Sequence, residues 1–277
     1  MRTIDRCWRC VGTAVFLALI GLGGSALALT VFPLISWLTD DKRMRQARIQ
    51  RVMHVSLRLY CRLIHLLRIA DVHFAGTEQL RGLKATLIVA NHPSLLDVVM
   101  IMAAVPNVQC IVKAALWKHL FFRLTVEGAG YIPNDLDPDA LLEACVDTLR
   151  EGNNLIVFPE GTRTVRGRPF RVRRGFARIA LTANVNIQLV TITCEPPVLH
   201  KGNPWWRVPE KRSVFRMQVG NMLDIHEFVR YQEVARAARN LATTIENYYT
   251  ERVVDGPVRD RSQTADYLLP EARGSLA

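Results

Sequence analysis

His92 and Asp97 are the residues whose types and spacing most directly suggest chemistry. They stand in Asn91-His92-Pro93-Ser94-Leu95-Leu96-Asp97, between the apolar runs Thr86–Ala90 and Val98–Val105. A histidine held by a carboxylate is the arrangement of a general base: the acid sets the tautomer and stabilises the imidazolium that forms. The plainer reading of the same residues is a turn histidine and a helix-capping acid, and the stretch alone does not choose between them. Ser94, with an acid three residues on, reads as an N-cap rather than as a nucleophile. Two further polar clusters follow apolar runs: Lys113 with Gly130-Tyr131-Ile132-Pro133-Asn134, and Phe158-Pro159-Glu160-Gly161-Thr162-Arg163.

These clusters need a scaffold that brings them together. Thr86–Ala90 is short, apolar and stopped by Asn and Pro, which reads as a buried strand. Val108–Val112, Leu155–Phe158, Ile187–Thr193 and Val214–Val219 read the same way, the last ending in a Gly-Asn turn. Helical patterns fall at Ser94–Val105, Ala140–Arg150 (with Asp139 as N-cap), Gly175–Thr182 and Val229–Glu251. Strands alternating with helices predict an α/β fold with a mixed, largely parallel sheet flanked by helices. In such sheets ligands gather outside the carboxyl ends of the strands, so the three polar clusters should converge. There is no internal repeat.

The N-terminal third is different. Arg2, Arg6 and Arg9 precede an apolar run, Val11–Leu38, that exceeds a ~30 Å hydrocarbon core at about 1.5 Å per helical residue. Gly21, Gly23, Gly24 and Pro33 interrupt it, so bending or re-entry competes with a straight span. Ser25-Ala26-Leu27-Ala28 resembles a signal-peptidase site, but the run continues past it, and a retained helical membrane anchor is the preferred reading. Lys42, Arg43, Arg45, Arg48 and Arg51 follow, which places the body of the protein on the cytoplasmic side, at a bacterial-type inner membrane. In residues 47–69, Arg51, His54, Arg58, Arg62, His65 and Arg68 share one helical face, predicting a basic amphipathic helix at a lipid interface. The expected division is thus 1–69 anchor and basic helix, 70–253 catalytic domain, and 254–277 tail.

Composition agrees. The chain of 277 residues has 49% hydrophobic residues and a net charge of +11. That charge favours anionic lipid or phosphorylated ligands, and no nucleic-acid motif is present. The six cysteines are scattered and mostly in apolar contexts, which suits a reducing compartment. Cys7-x-x-Cys10 lacks the second pair or histidine that a zinc site needs, so no metal is expected. Trp205-Trp206 could sit at headgroup level or pack in the core.

Asn91–Asp97 matches the N-H-x-x-x-x-D signature, and Phe158–Arg163 the F-P-E-G-T-R block, of the lysophospholipid acyltransferase family, which this chain resembles over roughly residues 70–225. The resemblance implies acyl transfer from acyl-CoA or acyl carrier protein, as co-substrate and without a cofactor, to the hydroxyl of a lysolipid such as lysophosphatidic acid. It casts His92 and Asp97 as the catalytic pair. Glu160, Gly161, Thr162, Arg163 and Lys113 become substrate-binding residues: Arg163 holds a phosphate, Lys113 assists as a point charge, and Glu160 orients the acceptor or fixes Arg163. Backbone N–H groups near Gly161 or at Ser94 are candidate oxyanion donors. The dense run Arg166, Arg168, Arg171, Arg173, Arg174 and Arg178 is expected to face headgroups, coenzyme A phosphates or acyl carrier protein. Three regions depart from the family pattern: Lys113-Ala114-Ala115-Leu116 lacks the usual Glu, Asn134 stands where an Arg is common, and the final block reads Leu189-Val-Thr-Ile-Thr-Cys-Glu-Pro-Pro197. These departures leave open a different acceptor, in a specialised lipid or polyene pathway. A non-catalytic membrane adaptor is a third reading.

Overall fold

A computed structural model of the chain describes residues 2–118, 120–165, 168–229 and 233–254. Arg166 of the basic run and the expected tail beyond Val254 lie outside the described residues. The elements in order are α1 (Arg2–Leu29), α2 (Val31–Trp37), α3 (Lys42–Leu66), β1 (Asp71–Ala75), β2 (Leu87–Ala90), α4 (Asp97–Ala104), β3 (Val108–Val112), α5 (Ala114–Lys118), α6 (Leu120–Gly128), β4 (Ile132–Pro133), α7 (Pro138–Arg150), β5 (Asn154–Val157), α8 (Gly175–Ala183), β6 (Ile187–Glu195), β7 (Val214–Leu223), α9 (His226–Val229) and α10 (Val234–Tyr249).

The strands form one seven-stranded sheet in the order β1-β7-β6-β2-β5-β3-β4. Every neighbouring pair is parallel except β6 and β7. β2 is central, flanked by β5 and β6, and all four of its residues are buried. Its side chains alternate between two cores, as the period of two in a strand requires. Ile88 and Ala90 join a cluster containing Ile49, Tyr60, Ile64, Met100 and Ile101. Leu87 and Val89 join Cys145, Leu149, Phe176 and Leu241 on the other face. A strand covered by helices on both sides must be apolar throughout, which is why it reads as a continuous apolar run.

Several boundaries differ from those expected. α7 is capped by Asp137, whose carboxylate accepts from the N–H groups of Asp139 and Ala140, with Pro138 in the first turn. Proline tolerates that position because its missing N–H would be unsatisfied anyway. β7 runs through Gly220-Asn221 instead of turning, since pairing with β6 continues across a register shift between Gln188 and Val190. The expected helix Val229–Glu251 is α9 and α10, with 230–232 outside the described residues. α3 begins earlier than expected, where the Asp41 side chain accepts the Met44 N–H at 2.6 Å.

The N-terminal helices are packed on the sheet domain. α1 and α2 include Thr3–Trp37, long and apolar enough to cross a membrane. Yet Arg9 is 1% exposed. Its guanidinium bonds Asp5 (3.0 Å) and the carbonyls of Pro209, Glu210 and Lys211 (2.9, 2.7 and 3.1 Å). A buried guanidinium is tolerable only when its N–H groups are satisfied in this way. Nearby, the Tyr60 hydroxyl donates to Phe16 O at 3.1 Å. A Cβ at Gly12 would collide with the Ile69 side chain, so glycine there permits the close approach of α1. Phe16 belongs to the same core cluster as Ile88. The opposite face of α1 exposes Ile4, Trp8, Val11, Val15, Leu19 and Leu22, one stripe at spacings of three and four.

Candidate active site

β2 ends at Asn91, and a buried amide there must find partners. It finds them on β6: Asn91 Nδ2 donates to Ile192 O at 2.7 Å, and Ile192 N–H donates to Asn91 Oδ1 at 2.7 Å. The side chain replaces the ladder that the backbone leaves at that point. The chain is thereby released into the turn that carries His92, while its start stays tied to the sheet.

The His92 and Asp97 side chains meet, with His92 Nδ1 2.8 Å from Asp97 Oδ2. The same oxygen accepts the Ser94 N–H at 2.7 Å. An ionised carboxylate only accepts, so the imidazole hydrogen sits on Nδ1 and Nε2 is left as the basic nitrogen. Asp97 is fully buried. Burial pushes its carboxyl up to about 6, and the hydrogen bond and charge of His92 work against that rise. Asp97 Oδ1 is buried with no hydrogen-bond partner among the described residues, which adds to the strain of carrying charge there.

The second motif turn closes on the first. Phe158 stacks on the imidazole at 4.2 Å between ring centres, 22° from coplanar. Glu160 Oε1 accepts from His92 N–H (3.2 Å) and from the Thr164 hydroxyl (2.6 Å). Thr164 N–H donates to His92 O at 2.7 Å. Burial raises the Glu160 carboxyl above its ordinary range, against the hydrogen bonds from Thr164 and His92. Glu160 therefore fixes the backbone of His92; among the described residues it makes no ion pair with Arg163, contrary to one of its two expected roles.

Arg163 Nη1 donates to Leu199 O at 2.9 Å, so the loop after β6 holds one arm of the guanidinium. Thr162 Oγ1 accepts from Lys201 Nζ at 2.9 Å. Gly161 adopts φ +68°, in the left-handed region where glycine carries no Cβ penalty. Lys113 is exposed at the end of β3, and its side chain has no hydrogen bond or ion pair with this cluster among the described residues.

Two expectations are corrected. Ser94 does not cap α4: the helix starts at Asp97 after Leu96, and the Ser94 hydroxyl donates to Val198 O at 3.1 Å. Two of the expected oxyanion donors are engaged elsewhere, Ser94 N–H with Asp97 and Gly161 N–H with Phe158 O at 3.0 Å. Sequence reading also missed Thr164, Leu199, Lys201 and the clamping role of Asn91. Only Asn91 left a signal, as a buried polar residue at the end of an apolar strand.

A cavity of about 30 Å³, lined by Phe16, Leu17, Tyr60, Leu96, Leu199 and Phe215 among others, lies between α1, α3 and this loop. It has room for a water or two. No group of three or more His, Cys, Asp or Glu side chains among the described residues is arranged to hold a metal.

Comparison with known proteins gives consistent matches. Residues 71–195 match the family described as Acyltransferase. A 1-acyl-sn-glycerol-3-phosphate acyltransferase from Cocos nucifera is 32% identical over 111 residues, covering 38% of this chain and 36% of that protein. One of the same description from Helicobacter pylori is 37% identical over 91 residues, 31% of this chain and 38% of its own length. The chain thus spans little more than a third of the length of these relatives. In fold it is similar to the crystal structure of the 1-acyl-sn-glycerophosphate (LPA) acyltransferase PlsC from Thermotoga maritima, with a TM-score of 0.65 at 18% identity, over 91% of this chain and all of that one.

Proposed function

We propose, from the match of residues 71–195 to the acyltransferase family, that the chain moves a fatty acyl group from acyl-CoA or acyl carrier protein to the hydroxyl of a lysophospholipid such as lysophosphatidic acid. The observation that carries the reading is the His92–Asp97 pair at 2.8 Å, held at the carboxyl end of the central strand.

The donor thioester is already activated, so no covalent enzyme intermediate is required. His92 Nε2 takes the proton of the acceptor hydroxyl as its oxygen attacks the thioester carbonyl. Asp97 holds the tautomer and offsets the imidazolium charge, and the Phe158 face supports the same cation. Collapse of the tetrahedral species breaks the carbon–sulfur bond. The proton on His92 then passes to the departing thiolate, restoring the neutral base. General-base assistance of this kind is worth roughly 10²–10⁴-fold. Arg163 offers its guanidinium to a substrate phosphate, for which the planar fork is suited.

The apolar stripe of α1 is the surface that meets lipid. α3 exposes Val55, Leu59 and Leu66 beside Arg51, Arg58 and Arg62, a mixture suited to an interface carrying anionic headgroups. Arg9 ties α1 to the domain, which supports a helix lying against the bilayer on the cytoplasmic face rather than a freely spanning anchor. Acceptors other than lysophosphatidic acid are a second reading, supported by the departures from the family pattern after Lys113, at Asn134 and in Leu189–Pro197.

The test is turnover by the full chain in phospholipid nanodiscs, with labelled acyl-CoA and acyl carrier protein offered against a panel of lysolipids and unrelated hydroxyl acceptors. Transfer to 1-acylglycerol 3-phosphate, lost in His92→Ala, is the expected result. Transfer only to other acceptors would replace the lysophosphatidic acid reading, and unchanged turnover in the variant would refute the general-base role.

A further inference from the structure

The connection between β6 and β7 grips both motif turns. Val198 O accepts the Ser94 hydroxyl, and Leu199 O accepts both Leu95 N–H (3.2 Å) and Arg163 Nη1 (2.9 Å). Leu199 does so at φ +55°. A branched side chain seldom adopts that region, and it persists only where surrounding contacts over-determine it. Two residues on, Lys201 Nζ reaches Thr162 Oγ1 at 2.9 Å. From the other side Arg173, its N–H on Pro159 O at 2.8 Å, lays its side chain over Gly161, where a Cβ would come within 2.9 Å of Arg173 Nε.

Three cations from three chain segments therefore border one turn, Gly161–Arg163. The acid of that block, Glu160, is turned inward to His92 and Thr164. Among the described residues, none of the three cations has a carboxylate within ion-pairing distance. An ammonium carries three donors, and Thr162 takes one of them.

We propose that Lys201 is a phosphate-binding residue, completing with Arg163 and Arg173 a subsite for a phosphate monoester of the substrate at this turn. The inference rests on the acyl-transfer reading for the molecule that bears the phosphate. Two sources share the chemistry: the glycerol phosphate of the acceptor, and the ribose phosphate monoester of a coenzyme A donor. Lys201 approaches from a separate loop, so it adds a second direction of charge that Arg163, tethered to Leu199, does not supply.

The experiment compares the full-length protein with Lys201→Ala and Lys201→Arg in nanodiscs. Two ratios of kcat/KM are measured: 1-acylglycerol 3-phosphate over 1-acylglycerol, and acyl-CoA over acyl-dephospho-CoA. K201A is expected to lower one ratio about 10-fold or more, the size of a lost charge-assisted hydrogen bond, and K201R to recover most of it. A fall in the first ratio assigns the acceptor phosphate, and a fall in the second the donor phosphate. Both ratios unchanged would overturn the proposal. Calorimetric titration of glycerol 3-phosphate and inorganic phosphate gives a readout that needs no turnover. K201A should weaken binding by a similar factor, while equal affinity, or no phosphate binding by the wild type, would overturn the subsite. If the wild type transfers acyl groups to none of the acceptors, the function reading fails and the titration alone decides the subsite. Lys201 is exposed, so an unchanged melting temperature in K201A excludes unfolding as the cause.

Discussion

The two turns that meet at the site are built on opposite principles. The His92 turn, at the end of β2, is mostly buried: Asn91, Ser94 and Asp97 are all at 0% exposure. Its polar groups are matched to named partners, with Asp97 Oδ1 left over. The turn after β5 is partly open and bordered by Arg163, Arg173 and Lys201, none of which makes an ion pair among the described residues, though the Arg163 charge is felt by Asp97. A general base needs a fixed tautomer and a dry, preorganised setting. A subsite for a charged substrate needs charge that is left uncommitted until the substrate arrives. In the proposed reading the first turn holds the chemistry and the second the recognition.

That contrast can be broken, and the largest effect should come from the buried side. His92→Ala should lower kcat by about 10³-fold or more while the protein stays folded and membrane-associated. Unchanged turnover would sink the division of labour. Asp97→Asn should lower turnover by roughly 10²–10⁴-fold, because the tautomer is no longer enforced. Its stability at neutral pH should hold or rise, since a buried charge is removed; thermal denaturation beside kinetics checks both halves.

On the recognition side, Arg163→Ala should raise KM for a phosphate-bearing substrate about 10–100-fold, with a smaller change in kcat. A loss confined to kcat would place Arg163 with the chemistry instead. The pH profile separates the turns further. Asp97 has its folded pKa raised by burial to about 6. As pH falls through that value the carboxyl takes up a proton and can no longer hold the imidazolium, so kcat/KM should decline. The linkage has the opposite sign for folding: the native state binds this proton more tightly than the unfolded chain. The contribution of Asp97 to stability therefore rises as pH drops from about 6 towards 4. Activity lost before stability is the expected pattern. The smallest effect is Phe158→Leu, where the lost ring stack should cost about 10-fold or less in kcat.

Much of this was readable from local pattern. β2 is an uninterrupted apolar run because it is covered on both faces, and the seven residues from Asn91 to Asp97 carry their own turn, so the His92–Asp97 contact follows from short spacing. Glu160 was legible as a site residue but not in its role, because its partner His92 lies 68 residues away on another chain segment. Ser94 misled because a serine three residues before an acid has the form of a capping box; here Asp97 accepts the Ser94 N–H as such a box requires, but it also holds His92, and the hydroxyl turns to Val198. The Gly220-Asn221 pair has turn chemistry, yet the ladder to β6 outweighs it.

Residue types and short spacings thus sufficed for the α/β class, the His92–Asp97 contact and the apolar, basic character of the N-terminus, since each depends on interactions within a few residues. Long-range folding alone decided the rest. It buried Arg9 of the apolar helix against the carbonyls of 209–211, and brought Leu199 and Lys201 onto the second motif turn. Those outcomes depend on which strand lies beside which and on where buried polar groups find partners, and neither is encoded in any single stretch of the chain.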